Sequence, residues 1–333
     1  PFWLGDTMTG ESVLFLRDAD GKRARASTLL PVERLIAVHN SSGDLTYEEG
    51  RDYLWDPGSR EIILPAGSRI VSSSPQQLRV PHDSQKYKLT HRDGKSEILF
   101  GATLEYHALQ ASITYKHKEG LWKTPPPEFN GKALPRVIGK LRRRKPLGIL
   151  VMGDSISTGC NASGWAQGAP FQPAYPELLR SHLAARYGSS VTLKNISIDG
   201  KNARTGVGQC EKVIEAEPDL VIVAFGMNDS AGRSTEDYRK DIESIITNVR
   251  AGLPDAEFIL VASMLGNRDW PRLNQRSFPE FRDALASLRG PGVALADLTA
   301  VWTEFLKRKK FSDLTGNGVN HPNDFGHRVY AQV

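Results

Sequence analysis

Two patterns of apolar residues divide the chain. From residue 1 to about 135, short apolar runs recur between Gly, Pro and Asp: "SVLFLR" (12–17), "RLIAVHN" (34–40), "EIILPAG" (61–67), "YKLTH" (87–91) and "ASITYKH" (111–117). Strands punctuated by turns at this spacing predict a β-sandwich domain over 1–135. "DPGSREI" after "DYLW" reads as a hairpin turn, and no helical period of comparable length occurs here.

From residue 147 the pattern changes. Apolar runs "LGILVM" (147–152), "VTLKNIS" (191–197), "DLVIVAF" (219–225), "EFILVAS" (257–263) and "VALADL" (293–298) alternate with amphipathic stretches. Strands that are apolar throughout are buried on both faces, as in a parallel sheet covered by helices. In "EDYRKDIESIITNVRAG", Tyr238, Ile242, Ile245, Ile246 and Val249 fall on one helical face, and Gly252 is expected to cap its end. An α/β unit is thus placed at 147–333. Residues 136–146 read as a linker, continuing a Pro-rich and basic stretch that begins at "KTPPPEF".

The 333 residues suffice for a sizeable core. Much of the mild net charge of +5 lies in "KLRRRK", Lys140 to Lys145, read as a solvated basic run, with no nucleic-acid motif beside it. No apolar run approaches the roughly 20 residues of a membrane helix, so neither nucleic acid nor membrane is an expected partner. The chain opens at Pro1 without a signal segment, as a processed product would, and "HRVYAQV" ends within a helical pattern. Its place is expected to be secreted or periplasmic rather than cytoplasmic. Cys160 and Cys210 fit either two buried thiols or one disulfide.

In an open parallel sheet, function gathers at the carboxyl ends of the strands. Four such places carry unusual polar residues: Gly153-Asp154-Ser155 after the first strand, "SIDGKNART" with Gly200 after the second, "GMNDS" with Asn228 after the third, and "GNGVNHPND" with His321 near the end. A serine hydroxyl is a poor nucleophile until a base takes its proton, and His321 suits that work near neutral pH. The Ser155 and Gly200 N–H groups and the Asn228 amide are candidate donors to an oxyanion. Each residue also has a purely structural reading, as cap or turn, and Asp154 and Asp229 are read as loop-holding residues.

Four ordered blocks, "GDS", Gly200, "GMND" and "HPN", resemble the SGNH (GDSL-type) hydrolases. The resemblance implies a flavodoxin-like three-layer α/β/α domain, ester hydrolysis through an acyl-enzyme on Ser155, and no cofactor. A β-rich, jelly-roll-like unit before such a domain resembles arrangements in carbohydrate-directed esterases of the family. No metal is expected, since the histidines and carboxylates lack ligand spacing.

The family's aspartate three residues before the histidine is replaced here by Gly318. A loop carbonyl, Asn317 or Asn320 then serves as the expected partner of His321, with Asp313 and Asp324 as the alternatives. A neutral acceptor fixes the tautomer but stabilises the imidazolium less than a carboxylate. Trp165 and Trp270 lie in loops at the same edge and are candidates for stacking on sugars. The expected activity is removal of O-acetyl groups from oligo- or polysaccharide. A short-chain carboxylesterase or lipase, a thioesterase, and a glycan-binding protein on a vestigial hydrolase fold are the other readings.

Overall fold

The computed structural model describes residues 1–122 and 131–333. The proline run of the expected linker falls at 123–130, outside the described residues.

The β-rich half contains β1 (Thr7–Arg17), β2 (Ala24–Ser27), β3 (Arg34–Asn40), β4 (Leu54–Trp55), β5 (Glu61–Leu64), β6 (Ser72–Ser73), β7 (Arg79–Val80), β8 (Glu97–Ile98) and β9 (Gln110–Lys116). The long β1 is the hinge of this half. Its residues 7–14 pair antiparallel with β9, and its residues 15–17 pair with β2 and β6. A strand that changes partners midway is how two layers of a β-sandwich share a corner. The expected turn at "DPGSREI" joins β4 to β5, with Gly58 at φ +80° after Pro57 and Ser59 N–H bonded to Asp56 O at 2.9 Å. "YKLTH" is not a strand. Only Thr90 bridges, to Glu97, and the local pairing is β7 with β8.

The stretch read as a linker forms helix α1 (Pro135–Arg142) instead. Val137 and Leu141, four apart, are buried, and the Glu257 carboxylate accepts the Arg136 and Val137 N–H groups at 2.9 and 2.8 Å. An anion at a helix N-terminus and one apolar stripe suffice against six basic residues at 136–145 that face outward or pair, as Lys140 does with Asp219.

The second half follows as β10 (Leu147–Gly153), α2 (Ser155–Thr158), α3 (Tyr175–Tyr187), β11 (Val191–Asn195), α4 (Ala203–Val207), α5 (Cys210–Ala216), β12 (Leu220–Ala224), α6 (Thr235–Gly252), β13 (Glu257–Ala262), α7 (Ser277–Ser287), β14 (Val293–Asp297), α8 (Leu298–Leu306) and α9 (Asp324–Gln332). Its five strands are all parallel, in the order β11-β10-β12-β13-β14. This is the 2-1-3-4-5 order of flavodoxin-like sheets. Period two explains the layers. Ile149 and Val151 of β10 enter one core with α8 and α9, whereas Leu150 and Met152 enter another with α4 to α7. Gly252 closes α6 from inside the helix, where an added Cβ would sit 2.8 Å from Ile214; Leu253 is the cap.

The first of these cores does not stop at the half-way point of the chain. Val13, Phe15, Ile113 and Trp122 belong to the same cluster as Trp302 and Phe305. Glu11 is fully buried there, accepts Leu29 N–H and Tyr115 O–H, and pairs with the equally buried Lys309. Both cysteines are buried free thiols, so the disulfide alternative fails. Among the described residues no helix is long and apolar enough to cross a membrane.

Candidate active site

The strand order reverses between β10 and its neighbours β11 and β12, so a crevice opens at the carboxyl ends of these strands. Ser155 follows β10 directly. The Asp154 side chain caps α2 by accepting Ile156 N–H at 3.0 Å, which holds Ser155 at the first helical position. Burial raises the Asp154 carboxyl to about 7. Asp229, after β12, accepts the Ala203 N–H at the start of α4, and burial raises it to about 6. Both acids hold loops, as expected.

Ser155 Oγ lies 2.8 Å from His321 Nε2. The segment after β11 is tied to the same place. Ile198 N–H donates to Gly153 O at 3.1 Å, and Thr158 Oγ1 donates to Asp199 at 2.6 Å. Gly200 turns this segment at φ +71°, with Lys201 N–H returning to Ile198 O. Asn228 Nδ2 donates to Lys201 O at 2.9 Å. One amide hydrogen therefore docks Asn228 beside the Gly200 turn. The structure thus brings all four sequence blocks to one edge.

The group that meets the far side of the imidazole is Asn161, whose Oδ1 lies 2.7 Å from His321 Nδ1. It was not among the sequence candidates. Asn317 Oδ1 instead accepts the N–H groups of Val319, Asn320 and His321, shaping the loop backbone. Asn320 accepts from Asn317, Asp313 accepts Leu14 and Lys310 N–H, and Asp324 accepts Ser163 N–H. None of these four bonds the imidazole. A neutral acceptor is in place, but it is a side-chain amide from the loop after Ser155, not a carbonyl of the histidine loop. Burial holds the His321 pKa down at about 4, with the Asp199 carboxylate acting in the opposite direction.

Trp165 is 41% exposed and lies against Gly159, at the end of helix α2. Trp270 is half-buried, with Arg272 over its ring. Its loop is pinned to the histidine loop by Asn267, which bonds Gly318 O and Val319 O at 2.8 Å.

A model of the GDSL-like lipase/acylhydrolase family matches residues 151–329, more than half of the chain. The chain belongs to this family. Among solved structures, this GDSL-family chain is similar to a two-domain esterase active on acetylated mannans, crystallised with mannopentaose: 20% identity, TM-score 0.48, over 61% of this chain and 51% of that one. It is also similar to a lipase/acylhydrolase from Enterococcus faecalis, at 21% identity and TM-score 0.45 over 56% and 92% of the two chains. A psychrotrophic esterase from Pseudoalteromonas sp. gives 18%, 0.40, 56% and 92%. The chain thus spans about half the length of the two-domain esterase. No curated protein matches it.

Proposed function

We propose that this protein is a serine esterase that removes O-acetyl groups from carbohydrate. The observation that carries the reading is the Ser155–His321 pair at 2.8 Å, with the imidazole held on its other nitrogen. Ser155 Oγ attacks the acetyl carbonyl carbon as His321 Nε2 takes the hydroxyl proton. The Ser155 and Gly200 N–H groups and the second Asn228 amide hydrogen receive the oxyanion, each such donor being worth roughly 3–4 kcal/mol in the transition state. The bond to the sugar oxygen then breaks as Nε2 returns the proton to it. Water, deprotonated by the same nitrogen, attacks the acetyl carbon, and the bond to Ser155 Oγ breaks as Nε2 returns that proton to Oγ, freeing acetate.

A small acyl group and a sugar leaving group are supported by the two tryptophans, one on a loop beside each member of the pair. Exposed Ile198 and Phe171 near the same edge favour a second reading, a short-chain carboxylesterase acting on apolar esters. The deciding experiment compares acetate release from acetylated xylan and mannan with hydrolysis of esters of increasing acyl length, and of acyl thioesters. Preference for acetylated glycan supports the first reading. Faster turnover of butyryl or longer esters, or of thioesters, replaces it.

A further inference from the structure

We infer that residues 99–107 of the β-rich half are a positioning element of this active site: they occupy the space of the family's missing acid and set Asn161 as the acceptor of His321. The inference rests on the serine-esterase reading for its activity arm.

The first observation is at Gly318. Its φ is +85°, and a Cβ added there would run into the Leu99 carbonyl oxygen and lie 2.8 Å from the Tyr106 ring. An aspartate at 318 has no room while residues 99–106 are in place. The same segment is fastened to the histidine loop by Gly101 N–H, which donates to Asn317 O at 3.1 Å. Leu104 packs directly against Gly168 of the loop that follows Ser155. The segment is therefore wedged between the loops that carry the two reacting residues.

The second observation is the cage around Asn161. This residue is buried and stands in the left-handed region at φ +64°. Its Nδ2 has three close carbonyl oxygens, Thr103 O at 3.1 Å, Gly101 O at 3.2 Å and Gly316 O at 3.2 Å, with Ala102 O further off at 3.5 Å. Three carbonyl oxygens around one site admit a donor and repel an acceptor. The amide nitrogen must sit there, and Oδ1 must face His321. His321 then carries its proton on Nδ1, and the Nε2 lone pair faces the Ser155 hydroxyl. Two of the three caging carbonyls come from the β-rich half. A third contact from that half, His107 Nε2–H, donates to the Asn161 main-chain carbonyl at 2.7 Å and secures the strained backbone. His107 is thus a positioning residue that touches neither reacting atom.

The cage makes a counter-intuitive demand. Asn161→Asp supplies the carboxylate that a full triad uses, yet it directs a second oxygen into three carbonyls. The anion is disfavoured, whereas the protonated acid reproduces the amide: its O–H donates to the cage and its C=O accepts from His321. The titratable groups around position 161 are His107 and His321, with His327 beside both and Asp199 acting on His321.

The test has two readouts. In the first, histidine-¹⁵N NMR of the whole protein at neutral pH reports the His321 tautomer. A ring protonated on Nδ1 is expected in the wild type and in His107→Gln, which keeps a donor, and a mixture of tautomers in His107→Ala. In the second, hydrolysis of p-nitrophenyl acetate is followed from pH 5 to 9. His107→Ala is expected to lose about tenfold in kcat with KM unchanged, and His107→Gln to recover most of it. Asn161→Asp is expected to fall at least 100-fold below wild type at pH 8, with the gap narrowing as pH falls towards 5. An Asn161→Asp variant as active as wild type at pH 8, or a His107→Ala variant with the wild-type tautomer and kcat, overturns the inference. A fixed tautomer in a wild type inert towards every ester would overturn the esterase reading and leave the positioning element standing. Should Asn161→Asp not fold, the His107 pair decides.

Discussion

Asp313 Oδ1 accepts the Leu14 N–H at 2.8 Å, so an acid eight residues from His321 anchors a strand of the other half and not the imidazole. Its Oδ2 accepts Lys310 N–H at 3.0 Å, and Lys309 Nζ stands 3.9 Å away. Asp313→Asn turns an amide NH₂ towards one of these N–H groups. Urea unfolding should show a loss of about 1–3 kcal/mol, the cost of a buried mismatched donor. Ester turnover per folded molecule should stay within about threefold of wild type. A fall on the order of 10,000-fold with an intact fold would instead identify Asp313 as a triad acid.

Ser155→Ala removes the proposed nucleophile without disturbing the α2 cap, which Asp154 supplies. The fold should be kept by circular dichroism, and ester hydrolysis should drop by several orders of magnitude. Retention of more than about a tenth of wild-type turnover would remove Ser155 from the mechanism.

Asn228→Ala deletes the donor docked on Lys201 O. Turnover should fall roughly 100- to 1,000-fold with little change in KM. A raised KM at constant kcat would assign Asn228 to substrate binding.

Burial keeps His321 neutral far into acid, at a pKa of about 4 against an ordinary 6.5. A depressed pKa extends the basic form downward, so the acid limb of kcat/KM should lie near pH 4 and not near 6.5. His327, buried nearby, is depressed in the same way to about 4. The unfolded chain protonates both rings first, whereas buried Asp154 and Asp229, raised to about 7 and about 6, take up protons first in the folded chain, so the two pairs offset and stability should change little between about pH 6.5 and 4. A pH–rate profile and melting temperatures across that range check both limbs. An acid limb near 6.5 in the free enzyme would mean that the imidazole is hydrated.

Much of the second half was legible because its strands are apolar on both faces and its polar blocks stand where such strands end. Ser155, Gly200, Asn228 and His321 meet for that reason alone. Asn161 was not legible. It sits in a loop without periodicity, and what makes it an acceptor is a set of carbonyls from residues 101, 103 and 316, invisible in side-chain identities. The single signal was negative: glycine at 318 left the imidazole without an acid, which required a substitute from outside the histidine loop. Helix α1 was hidden similarly. Its apolar stripe is two residues wide, and Glu257, which caps it, lies about 120 residues further along.

The core shared by Val13, Phe15 and Ile113 with Trp302 and Phe305 joins the halves by side-chain packing as well as by the chain itself. Two separately synthesised pieces, 1–122 and 131–333, already own complementary faces: an apolar surface, the Glu11–Lys309 pair, and the Gln110 amide that bonds Ser312 O and Thr315 O. Each piece alone would expose that face to water and strand a buried charge. Mixed, they should associate at a concentration-dependent rate, since covalent linkage turns the meeting of these faces into an intramolecular step.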